Sequence, residues 1–207
     1  MKILHLFYDL MNLYGEYANT LALQRALSEK GRAADIERLS VGDTLDFSSV
    51  DFIYIGSGTE KNQKVALEYL KPYADQLKSV LADGKILLAT GNSFEMFGKT
   101  ITDRNGVQYD GLNFFDFTVT EGKERIVEDI SAEFDGKKVI GFINKASQIE
   151  GVKKPLFSIK QGVGNCTNSS NVEGIQADSF YGTHIIGPLL IRNKCMADYF
   201  ADLLINK

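Results

Sequence analysis

The stretch from Lys85 to Gly98 constrains the fold more than any other part of this sequence. An apolar β-type run, Ile86-Leu87-Leu88-Ala89, stops abruptly at Thr90-Gly91-Asn92-Ser93, and a short amphipathic segment follows. A buried strand therefore hands over to a helix within about one turn. Such a turn lifts its apex residue to the C-terminal edge of a sheet, where the backbone N–H groups that open the helix face it. The apex residue normally performs chemistry, and here it is Gly91, which has no side chain. The pattern predicts the geometry of a covalent catalyst without its nucleophile.

With 207 residues and 44% hydrophobic content, the chain can bury a large core, and one domain spanning 1–207 is expected. A net charge of −4 without any concentrated Lys/Arg run argues against nucleic acid, whose phosphates need clustered positive charge. A small molecule or a protein is the expected partner. Met1 to Tyr14 is apolar-rich, but Asp9 interrupts it and no small-residue cleavage site follows, so it does not read as a signal peptide. No run approaches the roughly 18 apolar residues that span a bilayer. A soluble, cytoplasmic protein is the expectation. Cys166 and Cys195 stand far apart, with no CxxC and no nearby His pair, so neither a disulfide nor a metal site is signalled, and no cofactor is implied.

Along the chain, Lys2 to Phe7 reads as a buried strand, Tyr17 to Lys30 as a helix closed by Gly31, and Ala33 to Leu39 as a second strand. Phe52-Ile53-Tyr54-Ile55 is a third strand ending in Gly56-Ser57-Gly58-Thr59. Thr59 is the expected N-cap of a long polar helix reaching Asp83, broken or kinked at Pro72. This alternation predicts a doubly wound parallel sheet. Beyond Gly98 the pattern changes. Phe114 to Val119, Arg125 to Ile130, Lys138 to Ile143 and Pro155 to Ile159 read as short antiparallel strands added on the elbow side of the sheet. Gly162 to Gly174 reads as loop, Ser179 to Ile186 as a last strand, and Asn193 to Ile205 as a closing helix.

Several motifs then fall in a recognisable order. Asp9-Leu10-Met11-Asn12-Leu13-Tyr14-Gly15-Glu16 with Asn19 is similar to a DLMN-x-YGD-xx-N opening, and Gly56-Ser57-Gly58-Thr59-Glu60-Lys61-Asn62-Gln63 to a GGGQD-xx-Q loop. Arg125-Ile126 matches an R-I segment, Gly141-Phe142 with Asn144 a G-F-E-N-H segment, and Gly182-Thr183 with Gly187-Pro188-Leu189-Leu190 a GTYLHGPLL closing motif. Over nearly its whole length the chain thus resembles the class I glutamine amidotransferases of the CobB/CobQ type, in particular the GatD-type glutaminase subunit of lipid II isoglutaminyl synthase. The resemblance implies a three-layer αβα fold with a mostly parallel doubly wound sheet and added antiparallel strands. It also implies a domain that hydrolyses glutamine and feeds ammonia to a Mur-ligase-like or cobyric-acid-synthase-like synthetase. Gly56, Gly58, Asn92 and Arg125 fall at substrate-binding positions, fit for a small carboxylate or glutamine-like ligand.

The departures fall on the chemistry. The family's nucleophilic Cys corresponds to Gly91 and its catalytic His to Ile186, while His184 takes the Tyr position. The Glu and His of G-F-E-N-H correspond to Ile143 and Lys145. Glycine cannot attack an amide and isoleucine cannot move a proton, so the leading expectation is a binding or partner subunit that has lost hydrolysis. The alternative is an active amidotransferase with a rearranged site, for which Cys166, Ser93 and His184 are the available substitutes. Against each stands a plainer role: a free loop thiol for Cys166, helix capping for Ser93, a hydrogen-bonded structural histidine for His184, and a surface salt bridge for Arg125. A third reading, an α/β module binding a nucleotide or flavin at the sheet edge, leaves the ordered motifs unexplained.

Overall fold

The structure is a computed structural model and describes residues 1–167 and 171–206. It opens with strand β1 (Lys2–Leu6), helix α1 (Ala18–Glu29), β2 (Asp35–Leu39) and β3 (Phe52–Ile55). Helices α2 (Glu60–Leu70) and α3 (Ala74–Ala82) follow, separated by a 3-10 turn at Lys71–Tyr73 that carries Pro72. Proline cannot continue the hydrogen-bond ladder of a helix, so the expected long helix is two. Thr59 caps the first of them, its side chain accepting the Asn62 N–H. Strand β4 (Ile86–Thr90) leads into the elbow, and the segment after it, Gly91–Phe97, is a 3-10 helix.

The second half contains β5 (Thr100–Thr102), β6 (Gln108–Asp110), β7 (Thr118–Phe134), β8 (Lys137–Glu150) and β9 (Phe157–Gln161). Then come β10 (Val172–Glu173), β11 (Ile175–Ala177), β12 (Phe180–Thr183), α4 (Leu189–Arg192) and α5 (Lys194–Ile205). The strands form two six-stranded sheets. The first has the order β11-β12-β4-β3-β1-β2, parallel except for the β11–β12 pair. The second has the order β10-β9-β7-β5-β6, with β8 paired to β7, and is antiparallel except at β5–β7.

Both faces of the parallel sheet are covered, as all-parallel strands require. Alternate residues of its central strands go to opposite sides. Ile3, Tyr54 and Leu88 pack with Leu23, Leu27, Leu189 and Phe200, beneath α1, α4 and α5. Leu4, Ile53, Ile55 and Leu87 pack with Ala66, Leu67, Leu70 and Leu77, beneath α2 and α3. This is the expected three-layer αβα arrangement.

The added strands correct the sequence reading in three ways. Arg125 to Ile130 and Lys138 to Ile143 are parts of two long strands, β7 and β8, that form a hairpin turning at Asp135-Gly136. Phe114 to Phe117 is not a strand: its aromatic rings fill the space against Phe94, Phe97 and Phe180. Within the expected loop from 162 to 174, Val172–Glu173 pairs with β9. The last strand of the parallel sheet stops at Thr183, and Ile186 leaves the sheet to form an isolated antiparallel bridge with Phe142 of β8. Among the described residues, no helix is long and apolar enough to cross a membrane.

Candidate functional site

The elbow lies where β4 ends, in the middle of the parallel sheet, and Gly91 sits there with φ +63°, a conformation that L side chains seldom adopt. Its hydrogens face the loop after β3. A Cβ built on Gly91 would fall on the Ser57 hydroxyl and Cβ and lie 3.2 Å from the Ser57 Cα. The volume that an apex side chain would need is already filled by Ser57, which is 4% exposed.

Beneath the elbow lies a fully buried carboxylate, Glu16. Its Oε2 accepts from Thr90 Oγ1 and, at 2.8 Å, from the Tyr54 hydroxyl, and its Oε1 accepts the Gly187 N–H at 3.2 Å. Asn19 Nδ2 donates to Tyr54 at 2.7 Å, while Asn19 Oδ1 accepts the Leu190 N–H at 2.7 Å. Burial pushes the Glu16 carboxyl up, against the pull of its donors Thr90, Tyr54 and Gly187. Ile186 is fully buried beside this network and contributes no polar group to it.

A second buried polar cluster stands on the other side of the elbow. Glu95, on the 3-10 helix, accepts from Gln63 Nε2 at 2.7 Å and from Ser147 Oγ, and its Oε1 lies 2.9 Å from His184 Nε2. His184 Nε2 is 3.3 Å from Ser147 Oγ, and its Nδ1 is 3.5 Å from Glu173 Oε1. Glu173 is itself fixed by the His184 N–H at 2.7 Å and the Thr183 hydroxyl at 2.5 Å. Burial alone would raise the Glu95 carboxyl, but His184, Ser147 and Gln63 more than offset it and hold it below the usual carboxylate range. Lys145 donates to the carbonyls of Gly164 and Asn165 at 2.7 and 3.0 Å, and burial pulls its ammonium down.

Between elbow and hairpin is a cavity of about 170 Å³, bounded among others by Tyr14, Ser57, Asn92, Glu121, Arg125 and Ser147. The β7–β8 pairing loses register between Glu121 and Ile126, and two residues of that irregular stretch, Glu121 at its start and Arg125 within it, line the cavity. Arg125 is ion-paired with Glu60 at the start of α2 and donates to Asn144 Oδ1 at 2.9 Å, while Asn144 Nδ2 donates to the Tyr14 hydroxyl at 2.7 Å. Tyr14 is held at φ +62°, a strained conformation of the kind that gathers at binding sites.

The structure thus brings Gly58, Asn92 and Arg125 to one cavity next to Gly91, with Gly56 packed behind it against Glu16. The Gly58 N–H is taken by Asn92 Oδ1 at 3.0 Å, so that amide does not face the cavity as a free donor. Arg125 is at once a cavity residue and a salt-bridge residue. Cys166 donates to the Ile149 carbonyl at 2.9 Å and does not line the cavity. The Ser93 hydroxyl, expected to cap the following segment, donates to the Ile55 and Thr90 carbonyls at 3.0 and 2.8 Å and is fully buried. Reading the sequence assigned no role to Glu16, Ser57 or Glu95, although all three lie in or beside its motifs. Ser147 had one signal, its spacing two residues from Lys145 on the same strand face; Glu173 had none.

A sequence profile described as the CobB/CobQ-like glutamine amidotransferase domain matches residues 2–194. The chain belongs to that family. Two members similar to it are subunits named GatD of lipid II isoglutaminyl synthase (glutamine-hydrolyzing). The Staphylococcus aureus protein is 26% identical over 98% of this chain and 83% of its own length. The Streptococcus pneumoniae protein is 26% identical over 95% of this chain and 77% of its own. A crystal structure of a glutamine amidotransferase superposes with a TM-score of 0.58 at 16% identity, covering 97% of this chain and 98% of that one, a likeness of fold. The chain is accordingly a GatD/CobQ-type glutamine amidotransferase-like protein.

Proposed function

We propose that this amidotransferase-like chain does not hydrolyse glutamine, that it keeps the elbow cavity as a binding site, and that it docks as a subunit on a synthetase. One observation carries the reading: Gly91 not only lacks a nucleophile but has no room for one, because Ser57 occupies the space. Hydrolysis by the family's route needs a thiolate to attack the amide and an imidazole to protonate the departing ammonia. At the corresponding positions stand Gly91 and Ile186. The named role of the GatD relatives as subunits supports docking on a synthetase, which the family resemblance makes Mur-ligase-like.

The rearranged-site reading has one observation in its favour, the approach of His184 to Ser147 at the cavity wall. Against it, the Ser147 hydroxyl donates to Glu95 and the same Glu95 oxygen faces His184 Nε2, so the ring has no free route to the serine proton. The test is ammonia release from glutamine by the purified protein, alone and with whatever co-purifies from its host. No release above the background of the free amino acid is expected in either case. Release at an ordinary amidotransferase rate that disappears in Cys166→Ala or His184→Ala would sink the reading.

A further inference from the structure

The cavity beside the elbow has an unbalanced wall. Three carboxylates, Glu60, Glu95 and Glu121, and two cations, Arg125 and Lys145, line it. Arg125 is paired with Glu60, and Lys145 is turned away to two main-chain carbonyls. Glu95 has His184, Ser147 and Gln63 around it. Glu121 alone has no cation among the described residues. Its single hydrogen bond is from the Arg104 N–H at 3.2 Å, and burial, together with the like charges of Glu95, Glu60 and Asp103, pushes its carboxyl up.

A second, independent feature faces the same space. Ser57 lines the cavity, the residue is 4% exposed, and its hydroxyl, which faces Gly91, has no hydrogen-bond partner among the described residues. A hydroxyl that no protein group engages is free to bond a polar group held in the cavity. With its guanidinium occupied by Glu60, Arg125 has little to offer a ligand carboxylate.

We propose that the cavity takes a small ligand bearing a primary ammonium at one end and a neutral hydrogen-bonding group such as an amide at the other. Glu121 receives the ammonium and the Ser57 hydroxyl receives the neutral end. This rests on the reading of the cavity as a retained binding site and narrows it to one charge class: cation-bearing, with no carboxylate required. Volume agrees with the assignment, since about 170 Å³ holds a molecule of amino-acid size and little more.

The experiment is isothermal titration of the intact protein with three probes of one length: 4-aminobutanamide, its uncharged isostere pentanamide, and the carboxylate counterpart 4-carbamoylbutanoate. Binding of 4-aminobutanamide at least tenfold tighter than of the other two is expected. Glu121→Gln, checked for an unchanged melting temperature, is expected to abolish that preference. Ser57→Ala is expected to weaken 4-aminobutanamide and pentanamide by a similar factor, roughly fivefold, without changing the ratio between them. Equal binding of pentanamide or 4-carbamoylbutanoate, an unaltered preference in Glu121→Gln, stabilisation by calcium or magnesium in place of the amine, or no binding of any probe at millimolar concentration would each overturn the inference. Failure here and failure of the non-catalytic reading remain distinct. Ammonia release from glutamine would remove the latter and leave the ammonium preference standing, whereas absent binding with absent release would do the reverse.

Discussion

At the scale of single residues, Gly91 and Ser57 behave as one unit, because either side chain fills the space the other would use. Gly91→Cys should therefore cost about 3 kcal/mol in urea unfolding, the sum of overpacking and a non-glycine residue at positive φ. Adding Ser57→Gly to the same chain should recover roughly half of that by removing the clash while leaving the backbone strain. If the double variant is no more stable than the single, the two positions are not coupled. His5 offers a different residue-level test. It is fully buried in β1, and both ring nitrogens lack hydrogen-bond partners among the described residues. Burial, with Arg38 nearby, lowers it from 6.5 to about 4. Above 6.5 the ring is neutral in both the folded and the unfolded chain. As pH falls from 6.5 toward 4 the unfolded chain takes up the proton first and stability is lost, by about 3 kcal/mol in all. Denaturation curves of the parent and of His5→Leu between pH 7 and pH 4 should show the parent losing that much more than the variant.

At the scale of elements, the parallel half was legible and the hairpin half was not, for a physical reason. Strands β1, β3 and β4 are buried on both faces, so they appear as short apolar runs between turn residues. Thr59 and Pro72 mark helix boundaries through local chemistry that needs no tertiary context. In contrast, β7 and β8 run through stretches such as Glu121 to Arg125 whose side chains are half-buried or exposed, and their length is set by pairing with each other. The candidate site was legible only where motif residues carried it. Gly91, Asn92 and Arg125 came from the pattern, but the partners of His184 came from three separate elements. Asn193 shows how an element edge is closed without local signal. Its side chain gives 2.8 Å bonds to both the N–H and the carbonyl of Ile140, standing in for a neighbouring strand along β8. Asn193→Leu leaves both groups and one bond to Leu189 unmatched and should cost about 2 kcal/mol. Thr59→Ala, which removes one cap bond, should cost about 1 kcal/mol. A larger loss for Thr59→Ala than for Asn193→Leu in the same denaturation assay would reverse this ranking.

At the scale of the whole molecule, each of the two apolar clusters draws on both sheets. Ile101, Val119 and Ile149 join the cluster beneath α2 and α3, and Ile130, Val139 and Ile143 join the one beneath α1 and α5. Neither sheet can then lose its packing alone. The expected outcome in thermal unfolding is one transition seen alike by far-UV circular dichroism and tyrosine fluorescence, and two separated transitions would mean the sheets are independent folding units. The order of the strands also bears on how the protein is made. Strand β12 lies between β4 and β11, and the carboxylate under the elbow reaches across 171 residues to the Gly187 N–H. As the chain leaves the ribosome, β4 emerges about ninety residues before its neighbour β12, with one hydrogen-bonding edge bare and apolar. Until β12 slots in, a nascent chain of this kind presents a template for mispairing, and its production in cells should depend on how fast the segment carrying β12 follows β4.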